Sequence, residues 1–369
     1  MNKKKIRNGR IDFLRFFFAL IVVLHHSRYL LGDDKCIFLG GSLAVEFFFI
    51  VSGYLMISSI SRMKPFDETE MSMANETLHF LGKKLKGIFP EFIIAWIIGF
   101  AVTIILNGSN AAGAGKLFIE SFFELILLKM SGLFVTGVNG VIWYVSAMFL
   151  CMVILFPLIR KKPNLMTKLI CPLLVIGLYG YLCGAYGHPR NPTKWIGFTY
   201  KGNIRAMAGL CLGVWAFEAE RWLVSKPWNK ISCIFFEILQ FVLYVFVVAY
   251  MFMYGPSDND FFFIFLFFVA IILSFSGLGI LSGLFNNGVS KALGKFSTAL
   301  FFSHIFFAKT LGNRLPDSMG RAEKMIIYIA CAFICALIVQ IISDVLRKHG
   351  NQIGLFFRKV LWTNTDGLL

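Results

Sequence analysis

Charged residues are scarce in this 369-residue chain. Asp, Glu, Lys and Arg together make up 15% of it, against about a quarter in an ordinary soluble protein. Acidic residues are scarcer still, 20 Asp and Glu against 36 Lys and Arg. No low-complexity tract and no internal repeat is found. All but one of the eight cysteines sit inside apolar runs, where cysteine acts as a small hydrophobe. Cys331 and Cys335 share one apolar helix at i,i+4, which is not a metal pattern. These absences exclude a disordered protein, a disulfide scaffold and a plain cytosolic enzyme; neither a disulfide nor a metal is expected. A nucleic-acid partner is not expected either, because no soluble basic face or motif is present.

Apolar runs are what the chain has in abundance. It is 57% hydrophobic with 42 Phe, more than one soluble core would bury. A spanning helix needs about 20 mostly apolar residues. Segments meeting that requirement fall near 11–31, 43–60, 88–106, 141–159, 168–186, 203–219, 231–254, 261–283, 296–313 and 325–346. The expected fold is therefore all-α: a polytopic membrane helix bundle of about ten transmembrane helices in the lipid bilayer.

Segment 117–128 is short and carries Glu120 and Glu124, so it is read as a half-inserted or interfacial helix. Charge supports that choice. With ten spans and a cytoplasmic N-terminus, Lys3–Lys5, Lys83, Lys84, Lys86 and Arg160–Lys162 all fall inside, as the positive-inside bias requires. An eleventh span would move Arg160–Lys162 outside. The expected organisation is a membrane domain over 1–350 and a cytoplasmic amphipathic tail over 351–369, with both termini cytoplasmic at the cell membrane.

Charge at membrane depth is costly, so each such residue needs a reason. The first span has the densest set: Asp12, Arg15, His25 and His26. Arg15 and His26 are eleven positions apart, about 16 Å and close to three full turns, so they share one helix face. Two readings stay open. Asp12 and Arg15 can pair at i,i+3 while His26 bonds a neighbouring helix. Alternatively, Arg15 is an anion site and His26 a general base, with the separation matching the reach from a coenzyme A diphosphate to its thioester. In the second span, Glu46 can snorkel outward or orient the His26 ring, and Ser52-Gly53 can serve close packing.

The run IDFLRFFFALIVVLHH followed by GGSLAVEFFFIVSGYLM resembles the opening of the acyltransferase-3 family of integral membrane O-acyltransferases. Arg15, His26, Glu46, Phe48 and Ser52-Gly53 match the family pattern. Asn139, Trp143 and Tyr144, Arg205 with Gly213, Ser297 with His304, and Lys83-Lys84, Lys86 and Pro90 resemble its later motifs. Glu46 replaces the commoner Asp, and lysines stand where Arg is usual. The resemblance implies transfer of an acyl group, normally acetyl from acetyl-CoA, to a hydroxyl of an envelope carbohydrate or glycolipid. It implies His26 and Glu46 as catalytic residues and Arg15, Lys83, Lys84 and Lys86 as cations for the donor. Asn139, Trp143, Tyr144, Arg205, Ser52 and His304 are candidates for substrate contact or oxyanion stabilisation. The alternative is a transporter or flippase of a polysaccharide or lipid-linked precursor. It makes no evident use of the Arg15-to-His26 spacing with Glu46.

Overall fold

A computed structural model describes residues 8–68, 71–133 and 137–362, the side chains of Asp34 and of 350–362 excepted. The chain is almost entirely helical. Twelve helices carry the architecture: α1 (Gly9–His25), α2 (Ala44–Ile60), α3 (Met73–Asn107), α4 (Ala111–Leu125), α5 (Ile142–Lys161), α6 (Cys171–Tyr186), α7 (Lys201–Val224), α8 (Lys230–Met253), α9 (Asp260–Ser276), α10 (Gly288–Ser303), α11 (Ile305–Gly312) and α12 (Arg321–Trp362). One two-residue antiparallel pair sets Trp195 opposite Tyr200. Asparagine starts several helices: Asn8, Asn110, Asn229 and Asn287 each accept a hydrogen bond from the first turn they precede.

Among the described residues, seven helices are long and apolar enough to cross a membrane by length and composition. The other three expected spans differ for identifiable reasons. Helix α7 carries Lys201, Arg205, Glu218, Glu220 and Arg221. Helix α9 is apolar but only 17 residues long. The 296–313 segment is broken at His304 into α10 and α11. All three still pack into the bundle. Helix α4 has 15 residues, about 22 Å of rise, too short to cross. It buries Ser121 and Glu124 and exposes Phe118, Ile119 and Phe122, as an interfacial helix does. The amphipathic character expected of the tail falls outside the described side chains.

Two helices act as hubs. Helix α7 packs against α2, α5, α6 and α9, and α10 packs against α1, α3 and α12. Glycines bring α2 and α7 together. A Cβ at Gly53 would lie 2.1 Å from the Leu210 carbonyl oxygen, and one at Gly213 would lie 2.1 Å from that of Ile50. Lipid tails are as apolar as leucine, so close contact must supply the packing energy. Gly213→Ala is therefore expected to cost about 1–3 kcal/mol by overpacking, read as a lower melting temperature in detergent. Gly82→Ala, where the added carbon meets nothing within 4 Å, is the control and should not lower it.

Several ion pairs join residues of different helices. Asp344 pairs with Lys295 of α10 rather than with Arg347. Arg347 instead grips Glu91 of α3 at 2.5 and 2.6 Å, and Glu91 is buried. Glu237 likewise pairs with Arg10 at 3.0 Å. An apolar trough of about 600 Å³ runs along α1 and α8, with Arg10 and Glu237 in its lining.

Candidate active site

Arg15 and His26 both face α10. Helix α1 is continuous, with His26 as its C-cap. The Arg15 guanidinium donates to Thr298 Oγ1 at 3.3 Å. At the other end of the same seam, His26 Nδ1 lies 3.1 Å from His304 Nε2 and 2.9 Å from the Val22 carbonyl. The two side chains thus share one helix face and one facing helix.

The hydrogen bonds fix the proton positions. His304 Nδ1 lies 3.1 Å from the Leu300 carbonyl, which only accepts, so that nitrogen carries the hydrogen. In the neutral ring His304 Nε2 is then bare, and the single His26 Nδ1–H is shared between it and the nearer Val22 carbonyl. His26 Nε2 is left with its lone pair. His304 is fully buried while His26 is half-buried, so the outer ring of the pair is the one that reaches a substrate. His304→Ala, which removes the cross-helix partner and leaves the Val22 carbonyl on Nδ1–H, is expected to cost at most about 10²-fold in turnover by loosening the ring, less than the loss of His26 itself. His304→Gln, which returns an acceptor, should recover part of it. His25 belongs to a different neighbourhood: its Nδ1 lies 2.6 Å from the Phe38 carbonyl, and Gly41 packs against its Cβ.

Sequence reasoning missed this pairing of imidazoles. His26 Nδ1 meets His304 and the Val22 carbonyl, whereas Glu46, one candidate for orienting the ring, is held elsewhere. Glu46 is fully buried and turned toward α7, the helix its glycines admit. Arg205 Nε donates to its Oε1 at 2.5 Å and the Tyr179 hydroxyl to its Oε2 at 2.6 Å. Arg205 also donates to the Ser42 carbonyl at 2.7 Å, and its guanidinium carbon lies 5.4 Å from the Trp143 ring centroid. Its Nη1 is buried without a hydrogen-bond partner. Tyr179 was also missed; the available signal is that a tyrosine in an apolar span needs a partner for its hydroxyl.

The Asn139–Tyr144 stretch ties three helices together. Asn139 donates to the Phe302 carbonyl at 2.7 Å, a group exposed by the break at His304. Its backbone N–H donates to Glu124 Oε1 at 2.6 Å. Burial pushes the Glu124 carboxyl up to about 7, against the opposing pull of Lys129. Tyr144 shares a 3.1 Å hydrogen bond with Ser52, and the Arg15 charge acts on its hydroxyl. Phe48 and Phe301 pack on Tyr144, and Phe301 reaches the His304 ring at 6.2 Å. Polar groups at Arg15, Ser52 and Tyr144 therefore connect to the imidazoles through an aromatic wall.

Lys83, Lys84 and Lys86 lie on α3, across α10 from Arg15. Asp12 packs on Gly294, Lys295 pairs with Asp344, and Arg347 pairs with Glu91 and Gly87. This succession of contacts puts the lysines at the Arg15 end of the bundle. Lys83 and Lys86 are exposed; Lys84 Nζ lies 5.4 Å from the Phe80 ring centroid.

A polytopic helical membrane protein with a buried imidazole pair at one end of a helix seam and cations at the other is the class that fold and site define. The acyltransferase-3 family model, an acyltransferase domain, matches residues 8–344. The chain belongs to this family. It is also similar to an O-acetyl transferase of Shigella phage Sf6, at 24% identity over 235 residues. That match spans 60% of this chain and 65% of the relative. No solved structure matches the chain.

Proposed function

We propose that this chain is a membrane O-acyltransferase that moves acetyl from cytoplasmic acetyl-CoA to a hydroxyl of an envelope carbohydrate or glycolipid. The observation that carries this reading is the His26–His304 pair, which leaves His26 Nε2 unprotonated on the helix face that also bears Arg15. The residues fit the donor. Arg15, Lys83, Lys84 and Lys86 supply cations for its phosphates, Arg with a fork and Lys as point charges. The thioester then lies about 16 Å along α1, beside His26.

In the reaction, His26 Nε2 accepts the proton of the acceptor hydroxyl as its oxygen bonds to the thioester carbonyl carbon. The tetrahedral oxyanion collapses, the C–S bond breaks, and the departing thiolate takes the proton from His26. The Val22 carbonyl and His304 share the Nδ1–H and keep the ring in one tautomer throughout. Glu46 acts at a distance, by holding Arg205 against Trp143 beside Tyr144. Ser52 and Tyr144 are the hydroxyls nearest Arg15 for polar contact with the donor.

Protein reconstituted in nanodiscs with host envelope extract and labelled acetyl-CoA should release CoA and label the glycan fraction in equal amounts. Thiol release without label transfer would reject the proposal. The membrane arrangement has its own test. A cytoplasmic reporter should be silent when fused after Leu128 and active when fused after Lys162. Activity at both positions, or the reverse pattern, would reject ten spans with a cytoplasmic N-terminus.

A further inference from the structure

Two residues beside His26 have no part in handling the donor. Tyr29 stands one turn beyond it, in the single helical turn Arg28–Leu31. Its ring is parallel to the imidazole, with 5° between planes and 6.0 Å between centroids, and it is 47% exposed. The backbone under it is fixed. Arg28 Nε donates to Asp33 at 2.6 Å and holds that carboxyl below the usual carboxylate range. On the other side, a Cβ at Gly312 would fall 2.1 Å from the Tyr29 carbonyl oxygen, so the end of α11 abuts the turn. Lys309 of α11 places Nζ 5.7 Å from the Tyr29 ring centroid, and its charge also reaches His26. Lys309 shares the field of the Glu124 carboxylate with Lys129.

A tyrosine at a membrane surface is usually an anchor for the lipid boundary. An anchor needs neither a ring parallel to a catalytic base nor an ammonium over its face. A pyranose needs both kinds of group: its C–H face packs on an aromatic ring, and its oxygens require a few placed donors. Resting on the reading of His26 as the base, we propose that Tyr29 and Lys309 form the acceptor subsite. A sugar ring stacks on Tyr29, Lys309 donates to one of its oxygens, and the neighbouring hydroxyl is presented to His26 Nε2.

The probe is methyl β-D-glucopyranoside, followed by saturation-transfer NMR on the full chain in nanodiscs. Wild type should give a saturable signal strongest on the protons of one ring face. Tyr29→Ala should weaken binding about tenfold, while Tyr29→Phe stays within about twofold. Lys309→Met should weaken it about fivefold. Tyr29→Leu, which keeps bulk without an aromatic face, covers the case in which alanine impairs folding, and it should also lose the signal. Absence of saturable binding to wild type would overturn the subsite, as would wild-type binding by Tyr29→Leu. His26→Ala should keep saturable sugar binding, weakened by no more than the loss of the one hydrogen bond to Nε2, and transfer no acetyl. If it still transfers, the base assignment fails, while loss of sugar binding in Tyr29→Ala continues to support the subsite.

Discussion

Replacing His26 by alanine is expected to lower acyl transfer by about 10²–10⁴-fold, the usual contribution of a positioned general base. The protein should still fold, because the ring is half-buried at the end of α1 and its loss removes one inter-helix hydrogen bond. Donor binding should persist, since Arg15 and its contact with Thr298 lie about three turns away. The measurement is single-turnover label transfer at saturating acetyl-CoA, beside donor binding by equilibrium dialysis. Unchanged transfer would remove His26 from the chemistry. Equal loss of binding and transfer would recast it as a binding residue. His25→Ala is the matched comparison, because that ring hydrogen-bonds the Phe38 carbonyl instead. It should cost stability and not the chemical step.

Arg205→Met is expected to destabilise the folded protein by about 3–5 kcal/mol, the cost of leaving a buried carboxylate without its counter-ion. Glu46 and Arg205 are both fully buried, so water cannot replace the lost partner. Adding Glu46→Gln to Arg205→Met should recover part of the loss. It removes the stranded charge and keeps an acceptor for the Tyr179 hydroxyl. Thermal unfolding in detergent checks the pair as a double-mutant cycle. A melting temperature for Arg205→Met equal to that of wild type would show that the ion pair holds nothing. A double variant no better than the single would locate the loss in the Ser42 carbonyl or the Trp143 contact.

The positions of the helices were largely legible in the sequence, because twenty-residue apolar runs have few other uses. The Arg15–His26 relation was legible for the same reason: within one helix, spacing determines which face a side chain occupies. Pairings between helices were not. His26 meets a residue 278 positions away, and Glu46 meets one 159 positions away. No periodicity encodes which helix will lie against a given face. Glu46 and His26 are both predicted near one end of the bundle, so a contact between them was reasonable. The glycines at 53, 209 and 213 instead drew α7 onto the Glu46 side of α2. The same holds for Asp344, whose neighbour three residues along its own helix was less close than a lysine from α10.

The two imidazoles sit near opposite ends of the polypeptide. A ribosome that has inserted α1 must still complete about four-fifths of the membrane domain before α10 is in place beside it. Until then His26 has only the Val22 carbonyl of its own helix to hold its Nδ1 hydrogen, and Arg15 has no Thr298 opposite it. A half-synthesised chain already threaded into the bilayer therefore lacks the second imidazole of the proposed site.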